Sequence, residues 1–141
     1  MIGLMGCASI AIPDYIQEES PYKKVYYASY EDVLSSVTDV LNDLGWKSKG
    51  NVDPRIYEFG RKTPDESKQI LILTELRQTP LFVGTRYAKL NIFIQSVDDN
   101  STEVEFRYLR ITSFAFNNFY RYKNDRLAQR IFNNVEKELA K

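Results

Sequence analysis

The chain predicts an α+β fold: a two-layer sandwich with two helices on one face of an antiparallel sheet. Three observations carry this. A helical apolar period runs near each end of the chain, and runs of period two lie between them. At 141 residues, 43% apolar and 27% charged, the chain also suits one domain with a core of its own.

The elements follow in order. "KKVYYA" (23–28) reads as a short first strand. In "SYEDVLSSVTDVLNDLGW" (29–46), Val33, Leu34, Val37, Val40, Leu41 and Leu44 fall on one helical face. Ser29 and Asp32 form an acidic variant of the capping box, and Gly45 suits the residue past the helix end. "RIYEFGRK" (55–62) alternates through Tyr57 and Phe59 and reads as a strand. "KQILILTELR" (68–77) is apolar on both faces at its centre, as a central strand is. "RQTP" (77–80) reads as a turn, and Gly84 as a bulge. "RYAKLNIFIQS" (86–96) and "TEVEFRYLRIT" (102–112) alternate cleanly, joined by turn chemistry in "VDDNST" (97–102). A second helix over 117–140 carries the stripe Leu127, Ile131, Val135 and Leu139. The expected order is β-α-β-β-β-β-α, in one domain over 23–141.

Charge and composition exclude several classes. Lys plus Arg equals Asp plus Glu, 19 of each, so net charge favours neither nucleic acid nor an anionic membrane. There is no His, which removes the commonest general base and the commonest neutral metal ligand. The single Cys cannot form an internal disulfide, and no Cys/His spacing points to zinc. No apolar run approaches the roughly 18 residues that cross a bilayer. Neither a metal nor a cofactor is expected, and no nucleic-acid partner.

That Cys sits in "LMGC" (4–7), which resembles a bacterial lipobox: Leu, a variable residue, Gly, then Cys. The resemblance implies that the Cys7 thiol receives a diacylglyceryl group and that a signal peptidase cuts before it. Leu4 and Gly6 would be the processing determinants. Residues 1–6 would be the remnant of a signal peptide, and 7–22, with Pro13, Pro21 and the "QEES" tract, a lipid-anchored tether. Ala8 after the Cys would direct the chain to the outer membrane, facing the periplasm. The element order is loosely similar to the small α/β modules of envelope-assembly lipoproteins, which act by binding another envelope protein.

No enzyme motif competes with that expectation. Gly-x-Ser-x-Gly is absent, and no His stands ready to partner a serine. Glu75, Glu103 and Glu105 could pair across the sheet, but strand carboxylates beside Arg77 and Arg107 read as a solvated face with ion pairs. "DDNSTE" (98–103) lacks the Gly and spacing of a calcium loop. "FYRYKNDR" (119–126) mixes cations with tyrosines and reads as a solvated helix start.

"SFAFNNFY" (113–120) is the candidate contact surface. Phe114 and Phe116 would share a face of the last strand, with Phe119 and Tyr120 on the last helix. One core cannot bury all four, so some aromatic surface should remain for a partner, with Tyr120 and Tyr122 at its wet rim. "PLFVG" (80–84) is a second candidate. The expected function is a membrane-anchored, non-enzymatic envelope lipoprotein that binds protein or supports assembly. The alternative is a carrier holding a lipid or other apolar ligand between helices and sheet.

Overall fold

The structure, a computed structural model, describes residues 12–59, 61 and 68–141. Cys7 and the lipobox-like stretch lie outside the described residues. The fold is α+β, with a seven-stranded antiparallel sheet and two α-helices. The strands are β1 (Tyr22–Tyr26), β2 (Ser48–Val52), β3 (Gln69–Thr74), β4 (Arg77–Leu81), β5 (Gly84–Asp98), β6 (Ser101–Phe114) and β7 (Asn117–Arg121). Helix α1 (Tyr30–Asp43) follows β1, and α2 (Asp125–Leu139) closes the chain. The main path across the sheet is β1-β6-β5-β3-β2. The two remaining strands attach farther along: β4 pairs with β5, and β7 with β6.

The helices form where their patterns place them. The Ser29 hydroxyl accepts from the Asp32 amide at 3.2 Å, and Gly45 leaves α1 with φ +81°. Val33, Val37, Val40 and Leu41 meet Ala128, Ile131 and Val135 over Leu90, Ile92, Val104 and Phe106. Both helices therefore cover the same face of the sheet, as expected.

The order is β-α-β-β-β-β-β-β-α, not the expected β-α-β-β-β-β-α, and three of the expected elements are corrected. Residues 55–59 and 61, the described part of the expected strand 55–62, are not strand: Asp53 caps a single 3₁₀ turn at Pro54–Ile56, and Pro54 favours that turn. The second strand lies earlier, in the polar edge segment Ser48–Val52. Residues 77–80 are not a turn but part of β4, an edge strand that tolerates Pro80 because a proline N needs no ladder partner there. The last helix does not begin at 117. Residues 117–121 are strand β7, and the helix starts where the Asn124 side chain accepts from the Leu127 amide at 3.1 Å.

The segment expected to be a free tether is docked from Ile12 to Gln17 across the face opposite the helices. Ile16 is buried against Leu109 and Ile111. Its amide donates to Asn91 Oδ1 at 2.6 Å, and Asn91 Nδ2 donates to the Asp14 carbonyl at 2.9 Å. Lys89 Nζ donates to the Pro13 carbonyl at 2.9 Å, and burial lowers its pKa. Tyr15 stacks on Tyr57, ring centroids 4.8 Å apart, and donates to Glu58 Oε2 at 2.6 Å. Beneath it Arg107 pairs with Glu105 at 2.8 Å, and Arg61 reaches the same carboxylate at 3.4 Å. Arg107 thus pairs with a strand carboxylate, but along its own strand and under this strap, not across a solvated face as expected. Arg77 makes a different contact, lying 3.9 Å from the Trp46 ring centroid.

Ile131→Asp buries an unpaired charge between the helices and should abolish cooperative unfolding in urea, seen as loss of the transition. Ile16→Ala should keep the fold and lower its stability by about 2–4 kcal/mol in the same titration. A loss below half a kcal/mol would mean that the strap is not part of the folded unit.

Candidate functional site

The candidate surface grows from a mismatch of lengths. β5 has 15 residues and β6 has 14, so at about 3.4 Å per residue each spans roughly 50 Å. Helix α1, with 14 residues at 1.5 Å, covers only about 21 Å. β5 and β6 pair continuously from Thr85↔Ser113 to Ser96↔Thr102. The hairpin therefore runs past the helices at its Gly84 and Phe114 end, where the shared core stops at Ala88 and Tyr108. There β4 and β7 flank it, making a four-stranded projection β4-β5-β6-β7 that ends in two hairpin turns.

The two turns lie side by side. One is Phe82–Val83 between β4 and β5, the other Ala115–Phe116 between β6 and β7. Gly84 holds them together. Its φ is +126°, and a Cβ there would stand 2.1 Å from the Ser113 carbonyl oxygen, so no side chain fits. Phe82 and Phe116 are fully exposed, at 102% and 100%, and Val83 is half exposed. Monomeric proteins rarely leave such a contiguous apolar patch without use.

Phe116 is also held at a conformational cost. Ala115 and Phe116 have φ of +50° and +68°, the signature of a type I′ turn usually made by Asn-Gly. A left-handed conformation costs a residue with a Cβ roughly 1–2 kcal/mol. The sequence thus puts strain at the position that shows a phenylalanine to solvent.

Alternation assigns the remaining side chains to faces. On the face that carries the helices, successive rows run back from the tip. Leu81 and Gly84 lie beside Phe114 and Asn117. Next come Thr79, Arg86, Thr112 and Phe119, then Arg77, Ala88, Arg110 and Arg121. On the other face Tyr120 pairs with Ile111, beside Tyr87.

All five aromatics singled out in the sequence, Phe114, Phe116, Phe119, Tyr120 and Tyr122, are exposed. Their geometry differs from the expectation. Phe119 and Tyr120 sit on a strand, so they face opposite sides of the sheet instead of turning about a helix. Phe114 and Phe116 do not share a flat strand face, because the chain reverses at Phe116. The second candidate stretch, 80–84, is the neighbouring turn, and the fold joins the two into one tip.

Sequence reasoning missed the charge around that tip. Residues 76–97 and 106–124 contain no Asp or Glu. Arg110 and Arg121 are direct cross-strand partners, a like-charge pair that is unfavourable by itself. Among the described residues, Arg86, Arg110 and Arg121 make no ion pair, and Arg86 Nε is buried without a partner. A cavity of about 470 Å³ lies beside this row, lined by Arg110, Arg121, Lys123, Asn124, Asp125 and Arg126. Asp125 at its edge already accepts from the Tyr22 hydroxyl at 2.6 Å. Burial of that hydroxyl, with this bond, pushes its pKa up to about 12.

Two other features bear on function. The space beside Leu41, Trp46 and Ile72, between α1 and the sheet, measures only about 60 Å³. A larger cavity of about 450 Å³ lies beside the strap, lined in part by Tyr15, Ile16, Tyr57, Leu109 and Tyr122. Among the described residues no group of acidic or Cys side chains is placed to hold a metal, and no helix is long and apolar enough to cross a membrane. No protein-family model matches the chain, and no curated protein matches it.

Replacing Ala115 with Asn and Phe116 with Gly gives the turn its preferred residues. The double variant should melt about 5 °C higher in calorimetry. A lower melting temperature would mean that Phe116 packs productively in the fold.

Proposed function

We propose that this protein is a lipid-anchored, non-enzymatic component of the bacterial envelope that works by binding through its two-hairpin tip, in support of envelope assembly or maintenance. The observation that carries this reading is the contrast between a closed core and an open aromatic end. Val33, Val37, Leu90, Ile92 and Phe106 are fully buried, whereas Phe82 and Phe116 are fully exposed. Exposed aromatics backed by arginine have the composition of a binding hot spot.

Of the strand carboxylates weighed for catalysis, Glu105 is held by Arg107 and Arg61, and Glu103 accepts from Gln95 Nε2 at 3.0 Å. The tethered address rests on the lipobox-like residues Leu4, Gly6 and Cys7. The outer membrane, with the domain in the periplasm, follows from Ala8 under the same resemblance.

A second reading draws on the cavity beside the strap. The carrier expected from sequence would hold its ligand between helices and sheet, where only about 60 Å³ is open. Small-molecule sites usually offer 300–1,000 Å³, and the cavity beside Tyr15, Tyr57 and Leu109 reaches about 450 Å³. An apolar ligand, if there is one, belongs there.

Mass spectrometry of the membrane fraction should find a diacylglyceryl group on Cys7, and Cys7→Ser should release the protein to the soluble fraction. A soluble parent with a free thiol would remove the anchor from the account. A photo-crosslinking residue in place of Phe116 should give adducts in cells that the same residue in place of Lys137 does not. Identical adducts at both positions would mean that the tip is not the contact surface.

A further inference from the structure

The tip has a chemistry that selects its occupant. We propose that the two-hairpin tip inserts into an anionic lipid surface, with Phe82 and Phe116 entering the acyl boundary and Arg86, Arg110 and Arg121 set against the phosphates. This rests on the reading of the tip as the contact surface and names what it contacts.

Charge complementarity is the first argument. The whole projection lacks carboxylates, although the protein as a whole is neutral. The Arg110↔Arg121 pair needs an anion between or above its two guanidinium groups. The 470 Å³ cavity that the pair lines can take a phosphate headgroup. Juxtamembrane arginines gain from an anionic leaflet in the same way.

Layering is the second. The turns are apolar, the next row is mixed, and the arginine row stands four residues from the β7 end of its turn, Asn117 to Arg121. At 3.4 Å per residue that is about 14 Å. Interfacial segments bury their apolar side about 5–10 Å into the headgroup and acyl boundary. With the phenylalanines at that depth, the arginines reach the phosphates with their long side chains. A protein groove would not require this ordering of apolar tip and cationic belt along one axis.

The position of the chain's start is the third. Ile12 lies beside Leu76 and Lys89, level with the arginine row. The five peptide units from Cys7 to Ile12 span at most about 17 Å. The opposite end of the sheet, the Asp98–Ser101 turn, lies nine residues along β5 from Lys89, about 30 Å away. An acylated Cys7 can therefore enter a bilayer that meets the tip end, and cannot enter one that meets the other end.

The test is flotation of purified full-length protein carrying Cys7→Ser, so that no acyl chain contributes. Vesicles of phosphatidylcholine with an equal amount of phosphatidylglycerol should carry the protein up the gradient at low salt, and phosphatidylcholine alone should not. Phe82→Ser with Phe116→Ser should weaken binding roughly tenfold or more, and so should Arg110→Gln with Arg121→Gln. Arg130→Gln with Lys137→Gln should not change it. Phe82, Phe116, Arg121, Arg130 and Lys137 are exposed and Arg110 is half-buried, and circular dichroism checks that the fold persists. The proposal is overturned by equal binding to neutral vesicles or by tip variants that float like the parent. Retention on immobilised polyphosphate with no vesicle binding also overturns it. If vesicles are not bound while a crosslinker at 116 marks a protein, the tip remains the contact surface and its occupant is protein.

Discussion

The pairing of β5 with β6 is the constraint on which the rest of the molecule depends. The two strands stay in register from Thr85↔Ser113 to Ser96↔Thr102, well past the length that two helices can cover. Each half of the hairpin then needs different neighbours. In the half under the helices, β3 and β1 pair with it, and the alternating residues from Ala88 to Ile94 meet the apolar faces of α1 and α2. Beyond Ala88 and Tyr108 the hairpin leaves the core it shares with the helices. The backbone edges are closed instead by β4 and β7, and the side chains on the helix-bearing face become arginine, threonine and phenylalanine. One hairpin thus carries both the core and the proposed contact surface, and rigidity in the first positions the second.

The face opposite the helices shows how the sheet is stiffened at its middle. Arg107 and Glu105 are nearly buried, and removing either would leave the other charge unpaired beneath the strap. The Asn91 and Arg107 side chains complete the layer, accepting from the Ile16 amide and donating to the Asp14 and Ile16 carbonyls, backbone groups that would otherwise be orphaned. This polar layer fixes the strap in one place, and with it the point from which the N-terminal segment departs.

Much of the core was legible in the sequence, because its patterns are strong. The stripes of Val33 to Leu44 and Leu127 to Leu139, and the alternation from Ala88 to Ile94, each report a face directly. The misreadings fall where pattern is weak or hidden. β2 is a polar edge with Gly50 at its middle, so nothing in it alternates. β4 contains Pro80, which argues for a turn unless the strand is known to be an edge. The expected helix start at 117 runs over β7 because the stripe from Leu127 to Leu139 marks a face but no N-terminal boundary. The Asn124 cap and the Phe119–Tyr120–Arg121–Tyr122 alternation were the signals for a strand followed by a helix. The charge around the tip was overlooked for a different reason. A net charge of zero averages over the chain, whereas the acid-free stretches 76–97 and 106–124 are far apart in sequence and become one surface only through the β5–β6 pairing.

The central claim is that the tip end of this hairpin meets a lipid surface, and depth is its most direct measure. Trp46 is buried under Arg77 and offers a constant background. In Phe116→Trp the added indole should emit like an exposed one in buffer. With anionic vesicles its emission should shift to the blue, and lipids brominated near the carbonyl end of the acyl chain should quench it more than lipids brominated near the terminal methyl. An emission unchanged by vesicles that the protein demonstrably binds would contradict the account, since contact would then be made by another part of the surface.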